Sequence, residues 1–522
     1  MITKNLSTIL LFSIPIAIGM AVTPVTAQNV MITNNHSPNE PSILMNPLNT
    51  DILVAGANLN NVYNSSDGGL TWSEQTMTSS YGVWGDPSFD VDTDGNFYYF
   101  HLSNPSSGNW IDRIVCQKST DNGNNWSSGT FTGLNGTKAQ DKQWSVVDRN
   151  NNNIYVTWTQ FDDYGSSNPN DKSIILFSKS TDRGQTWSAP KKINSVDGNC
   201  VDEDDTTEGA VPAVGPNGEI YVAWAGPNGL VFNKSLDQGD TWLSEEIKID
   251  PMPTGWDYGI PGISRANGLP ITKCDLSGGP NHGTIYVNWS DQRNGANDTD
   301  VFMSKSTDGG NTWSAPTRVN DDPAGKQQFF TWMDIDQTNG NLFFVFYDRR
   351  EYTDNKTDVY LAYSEDGGTT ITNKRISESP FTPNSGVFFG DYTNITVHNN
   401  VVRPIWTRLS GSQLSVWTDV TPSPILFAGN GAAQVENVMQ YPNPASDLSY
   451  VSFKLHEESQ VSIDLFDVQG RKVYTVMNNE TKGYGKYIIP MNIDEMNLAE
   501  GSYFCKLTVN GTSKTLKMIV VE

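Results

Sequence analysis

Histidine and cysteine are scarce in this sequence, five and four residues among 522, and none stands in a zinc-ligand spacing. Four cysteines cannot staple a chain this long; one bridge is expected, Cys200 to Cys274, because both fall in long loops. Positive charge is short as well: 34 Lys and Arg face 58 Asp and Glu, a formal net charge of −24. Without surplus cations to displace phosphate counterions, nucleic acid is excluded as a partner. Phosphate loops and nucleophile elbows are missing. No segment after residue 27 is apolar enough to cross a bilayer, and no sustained helical period runs through the chain.

What remains is the composition of short strands and many turns. Gly, Asn, Asp, Ser and Thr are abundant, with 15 Trp and 20 Tyr, residues that favour pleated, half-buried surfaces and the turns between them. At the start, Lys4 precedes an apolar run from Ile9 to about Val22, and Val25-Thr26-Ala27 supplies small residues for cleavage. Residues 1–27 therefore read as a signal peptide with the mature chain starting at Gln28; a retained anchor is the alternative, but the run is short for a span.

An eight-residue pattern, S-x-D-x-G-x-T-W, recurs along the chain. It stands as Ser65-Ser66-Asp67-Gly68-Gly69-Leu70-Thr71-Trp72 and again, with one or two departures, at Ser119–Trp126, Ser180–Trp187, Ser235–Trp242, Ser306–Trp313 and Ser364–Ile371. Starts lie 54, 61, 55, 71 and 58 residues apart, the size of a four-stranded propeller blade. Asp can accept backbone hydrogen bonds in its own turn, Gly supplies the positive φ, and Trp covers the turn. Between these turns lie clear second strands at Phe97–His101, Ile154–Thr159, Ile220–Ala225, Ile285–Ser290 and Leu342–Tyr347, with Ile52–Ala57 before the first turn. Val401–Thr407 and Gln413–Trp417 add a seventh hairpin without such a turn, and Asn29–Asn34 could complete it, closing the ring with both ends of the domain.

The pattern resembles the Asp box of sialidases and related propellers, where the box is structural and lies away from the active site. The fold class expected is thus all-β: a propeller over 28–422, with seven blades favoured and six the alternative. The stretch from about 200 to 420, through EGAVPAVGPNGEIYVAWAGP, GTIYVNWSDQRNG, FVFYDRR and FFGDY…RPIW, resembles Bacteroidetes surface proteins described as sialidase-like or BNR-repeat.

Residues 423–437, with Gly429-Asn430-Gly431, read as a linker after Thr421-Pro422-Ser423-Pro424. Residues 438–522 read as a small β-sandwich with strands at Tyr450–Leu455, Val461–Phe466, Tyr503–Val509 and Thr515–Val521. Tyr441-Pro442-Asn443-Pro444-Ala445, the DLFDVQGRKVY stretch at Asp464–Tyr474 and Gly501-Ser502-Tyr503 resemble the C-terminal sorting domain of the type IX secretion system. That likeness implies dealings with the type IX machinery, export across inner and outer membranes, and release or surface attachment, with no transmembrane span once the signal is cleaved. The mature protein is expected to be a monomer.

Propeller topology places the boxes on c–d turns, so the b–c loops and d–a connections form the opposite face, where a site is expected. Those segments carry Trp84-Gly85-Asp86, Val201–Gly209, Gly255-Trp256-Asp257-Tyr258, Ser290–Asn294, Tyr347–Glu351 and Phe389-Gly390-Asp391-Tyr392. Arginine forks beside carboxylates and aromatics suit an anionic sugar, although inter-blade salt bridges would use the same residues. The candidates are Glu208, Asp291 and Asp391 as acid/base, Tyr392 or a carboxylate as nucleophile, and Arg293, Arg349, Arg350, Arg403 and Trp256 as substrate binders. His101 with Tyr392 is a lyase alternative.

No cofactor is required; Asp202, Asp204 and Asp205 are a candidate Ca²⁺ site. Asp90–Gly95 opens like a calcium loop but lacks the distant Glu, and reads as a hairpin turn. The resemblance implies a sialidase-like glycoside hydrolase on an anionic glycan or glycoconjugate. One family feature is missing: the mature chain has no Arg or Lys before Arg113, so the Arg-Ile-Pro motif ahead of the first box has no counterpart. A non-catalytic glycan- or protein-binding adhesin is the alternative.

Overall fold

A computed structural model describes residues 28–421 and 435–521, apart from 456–458, 470, 484 and 511; the signal-peptide reading and most of the linker lie outside the described residues. Residues 28–421 contain seven four-stranded antiparallel sheets. The first runs Ser42–Met45, Leu53–Ala57, Asn61–Ser65, Ser73–Thr76, and five more follow in simple up-and-down order. In the seventh, Asn394–His398, Val401–Ser410 and Gln413–Asp419 are completed by Asn29–Thr33, with Asn29 opposite Asp419. Each innermost strand packs against the next, and Asn394–His398 packs back on Ser42–Met45, so the ring is closed and no long sheet edge is left inside it. The inner strands enclose an axial cavity of about 240 Å³.

Every sequence-predicted second strand is the second strand of a sheet. These strands read as apolar runs because both their faces are covered by neighbouring sheets: Asn153–Phe161 and Ile285–Asp291 are buried throughout. Trp158, Trp224, Trp289 and Trp406, one on each of four second strands, are fully buried. Burying an aromatic side chain of this kind contributes about 2–3 kcal/mol.

All six repeated turns join third strands to fourth strands. In each, the Ser hydroxyl donates to the Asp carboxylate at 2.7–2.9 Å and accepts the N–H of the Gly four residues on. The Asp in turn accepts the backbone N–H of the residue four positions later, Asn125 in the second turn and Thr in the others.

Residues 435–521 form a sandwich of a three-stranded sheet (Val435–Tyr441, Leu448–Leu455, Gly485–Asn492) and a four-stranded one (Lys472–Lys482, Ser459–Phe466, Gly501–Val509, Thr512–Val520). Val435–Tyr441 starts inside the stretch read as linker. Val451, Phe453, Ile463, Leu465, Cys505 and Leu507 share its core. The expected Cys200–Cys274 bridge is corrected: all four cysteines are free and buried, Cys200 among Trp158 and Leu176 and Cys274 in a separate cluster with Ile285 and Trp289.

Candidate functional site

Four inner strands break their pairing at one level, on the face opposite the repeated turns. A bulge falls between Gly85 and Ser88, Asp141 and Trp144, Glu208 and Val211, and Phe329 and Trp332. A bulge re-aims side chains at the end of a strand. Asp86, Lys142 and Phe330 there have φ of 53°, 51° and 51°, and Glu40, just before the first inner strand, has φ 50°. Such backbone costs about 1–3 kcal/mol for a residue with a Cβ and persists where the surroundings impose it.

These bulges gather charge at the axis. Lys142 Nζ donates to Asp391 Oδ2 at 2.6 Å and lies 3.7 Å from Asp86 Oδ2. Arg265 donates from Nε to Asp391 Oδ1 at 3.0 Å, from its second terminal nitrogen to Asp391 Oδ2, and to Asp202 Oδ2 at 2.9 Å; Tyr164 also donates to Asp202, at 2.7 Å. Asn58 donates its amide to Glu40, whose other oxygen has no hydrogen-bond partner. Above the cluster opens a cavity of about 370 Å³, in the size range of small-molecule sites. Glu40, Asp86, Asp141, Lys142 and Arg265 line it, under a rim of Trp84, Trp110, Tyr164, Leu59 and Phe388. Trp84 and Trp110 meet edge-to-face at 5.8 Å, Trp110 and Tyr164 at 5.6 Å.

Burial and unequal pairing drive the carboxyl groups apart. Burial works against an ionised Asp391, but Lys142 and Arg265 together hold it well below the carboxylate range. Burial pushes Asp141 up to about 7, offset only in part by Lys142. Glu208 is raised well above its ordinary value, by burial and then by Asp202; Glu40 is raised too, by burial and then by Asp86 and Asp391.

Of the sequence-predicted residues, Glu208, Asp391 and Tyr392 join this network. Glu208 is 1% exposed with neither oxygen hydrogen-bonded. Tyr392 is packed between Trp144 and Trp332, its hydroxyl unpartnered and its pKa pushed up by burial and then by Asp86. Both are absent from the lining of the larger cavity.

The remaining candidates stand elsewhere. Asp291 takes Arg293 at 2.5 Å and the Trp289 indole at 2.9 Å, and Arg293 also reaches Asp250 at 2.7 Å. Arg349 is buried on Thr357, Gln327 and the Pro261 carbonyl. Arg350 binds Asp348 at 2.8 Å and Asn373 at 3.0 Å. Arg403 donates to the Gly68 carbonyl at 2.6 Å, in a repeated turn on the opposite face, as Lys234 does to Gly309 and Lys305 to Gly367. Trp256 is buried, its indole N–H on the Thr206 carbonyl. The structure thus does not assemble the predicted arginine clamp; each guanidinium is spent on its own fold.

Asp202, Asp204 and Asp205 do not converge either. Asp202 faces Tyr164 and Arg265, Asp204 accepts the Asp257 N–H at 2.7 Å, and Asp205 is exposed. Among the described residues, no three His, Cys, Asp or Glu side chains are grouped to hold a metal ion. His101 is locked between the Leu102 carbonyl and Gln117, its pKa lowered to about 4 by burial, and its ring packs on Tyr99 rather than Tyr392. Asp92 accepts the N–H groups of Asp94 and Asn96, so Asp90–Gly95 enters a hairpin turn.

Lys142, Glu40, Asp141 and Arg265 were not anticipated, and Asp86 only as part of a loop. Charged residues at the head of an inner strand, Gly85-Asp86 and Asp141-Lys142, are the one signal for Asp86, Asp141 and Lys142; Glu40 and Arg265 lie outside the inner strands and carry none.

Residues 439–522 match a family described as a secretion system C-terminal sorting domain. The chain is therefore addressed for export by the type IX machinery, to the cell surface or beyond it. No helix among the described residues is long and apolar enough to cross a membrane. No curated protein matches the sequence. Solved structures similar to the chain include a Hadza microbial sialidase (14% identical, 70% of this chain and 73% of that one, TM-score 0.41). An α-L-arabinofuranosidase from Fusarium graminearum is 15% identical over 68% and 99% of the two chains, TM-score 0.41. An ulvan lyase of a polysaccharide lyase family is 13% identical over 76% and 98%, TM-score 0.46.

Proposed function

We propose that this is a secreted or surface-attached carbohydrate-active propeller, a glycoside hydrolase working in the cavity at the bulged ends of the inner strands. One observation carries the reading: a carboxyl group raised to about 7, Asp141, lines the same cavity as a second acid, Asp86, beneath an aromatic rim. Glycoside cleavage needs a carboxylic acid that protonates the leaving oxygen and a carboxylate that attacks or activates water at the sugar carbon. Asp141 takes the first role and Asp86 the second. Lys142 lies within 4 Å of Asp86 and is itself fixed by Asp391. Asp391 holds Lys142 and Arg265 from behind, with Glu208 and Tyr392 buried nearby.

The test is release of sugar from a panel of neutral, amino, sialylated, sulfated and uronic glycans, read by mass spectrometry. Asp141→Asn should lower the rate by about 10²–10⁴-fold. The proton on Asp141 is present below about pH 7 and lost above it, so activity should fall as pH rises through that value, and the limb should vanish in Asp141→Asn. Stability has the same sign. An unfolded Asp titrates near about 3.9, so from there to about 7 the folded chain holds a proton that the unfolded one has lost, and stability falls as pH rises.

A binding-only adhesin is the second reading, favoured by the burial of Glu208 and Tyr392 away from the cavity. Retention of a glycan with no product from any of the panel would establish it and sink the hydrolase.

A further inference from the structure

The charges around the cavity do not cancel. Its two strong cations are committed: Lys142 to Asp391, Arg265 to Asp391 and Asp202. Glu40, Asp86 and Asp141 also line it, and none has a cation of its own closer than the 3.7 Å from Asp86 to Lys142. His36, at the mouth, leans toward Glu74. Two of the three acids leave a buried oxygen at the cavity wall without a hydrogen bond: Glu40 is 2% exposed with Oε1 unpartnered, and Asp86 is 9% exposed with Oδ2 lacking any hydrogen bond. A buried carboxyl oxygen without a donor is costly, most of all when ionised, so a donor brought by the ligand would relieve it. An anion would find no uncommitted guanidinium or ammonium there.

The rim adds a second, independent preference. Trp84, Trp110 and Tyr164 form a continuous aromatic wall, Phe388 lines the same cavity beside Arg265, and Trp110 and Phe388 are each 42% exposed. Aromatic faces attract both the C–H faces of a sugar ring and an adjoining cation. An ammonium carries three donors and no acceptor, which suits a floor of carboxylates and not one of amides.

We infer that the ligand of this cavity is a cationic glycan, a sugar bearing a free, protonated amine, its ring on the Trp84–Trp110 wall and its ammonium on Glu40 and Asp86. This rests on the carbohydrate reading above and replaces the anionic substrate expected from the arginines.

The test is calorimetric titration of the purified protein with a β-1,4-linked D-glucosamine tetramer and its fully N-acetylated counterpart, at mildly acidic pH and at low and high salt. The expected result is binding of the free amine at least about tenfold tighter, with a margin that shrinks in salt. Glu40→Gln, nearly isosteric, should abolish the margin. Trp110→Ala, at an exposed position, should weaken both oligomers alike without touching the fold. Equal affinity for the two tetramers, or a margin that survives both Glu40→Gln and Asp86→Asn, overturns the inference. The two readings fail separately: sialic or uronic acid release without amine preference keeps the hydrolase and overturns the cationic ligand, whereas amine-selective binding without release of any sugar keeps the ligand class and overturns the hydrolase.

Discussion

On one face of the propeller, six turns repeat the same hydrogen bonds almost residue for residue; on the other, four inner strands repeat one bulge but fill it with Asp86, Lys142, Gly209 and Phe330. The first face solves a backbone problem locally: Ser and Asp satisfy the turn's own N–H groups, and every copy needs the same residues. The second uses a shared backbone device to carry side chains that differ from blade to blade and that meet only at the axis. Repetition in sequence therefore marks the scaffold, and a repeated shape with unlike residues marks the site. Cations follow the same division. Arg403, Lys234 and Lys305 each cap a turn carbonyl in the neighbouring blade, whereas Lys142 is enclosed by Asp391, Asp86, Glu40 and Asp141, which keep it charged although burial alone would neutralise it.

The comparison breaks most visibly at Lys142. Lys142→Met leaves several buried acids facing Arg265 alone, and should cost about 3–5 kcal/mol in denaturant unfolding along with ligand binding. Adding Asp391→Asn should recover part of the stability and none of the binding; full independence of the two changes would show that the network is not a unit. Arg293→Met tests the other class of arginine. It removes the cation from Asp250 and Asp291, so a loss of about 2–3 kcal/mol is expected, with glycan affinity unchanged because Arg293 lies off the cavity. A matching fall in affinity would restore the arginine clamp.

Much of the scaffold was legible because its signals are local. The six turns and the seven second strands follow from patterns within ten residues, and the return of Asn29–Thr33 to the last sheet follows from counting them, since the seventh hairpin lacks a fourth strand. The site was legible only in part. Glu208, Asp391 and Tyr392 stand out beside Gly209 and Gly390 near the heads of inner strands, yet the roles expected of them are the ones we propose for Asp86 and Asp141. Lys142 and Arg265 are 123 residues apart and come together only because the ring closes, which no local pattern encodes. Arg293 and Arg350 misled for the converse reason: Asp291-Gln-Arg293 and Asp348-Arg-Arg350 are i, i+2 pairs, salt bridges formed within one loop. Paired charges near in sequence tend to satisfy each other, and those left for a ligand are the ones whose partners are remote.

The smallest effect should come from the repeated turns. Burial raises the Asp67 carboxyl, but the hydrogen bonds it accepts from the hydroxyl and N–H of Thr71 and the hydroxyl of Ser65 together outweigh this and hold it below the usual range. Its stabilisation is thus complete above the ordinary Asp pKa and lost as pH falls through the lowered one. Asp67→Ala removes these bonds in a turn open to water, where solvent replaces most of them, so about 1 kcal/mol is expected. The deficit should be visible at neutral pH and close as pH falls through the lowered pKa, where the wild-type carboxyl is itself protonated. Glycan binding should not move, since the turn lies at the far end of its blade from the cavity. A drop in affinity in Asp67→Ala without loss of stability would mean that the repeated face, too, takes part in the function.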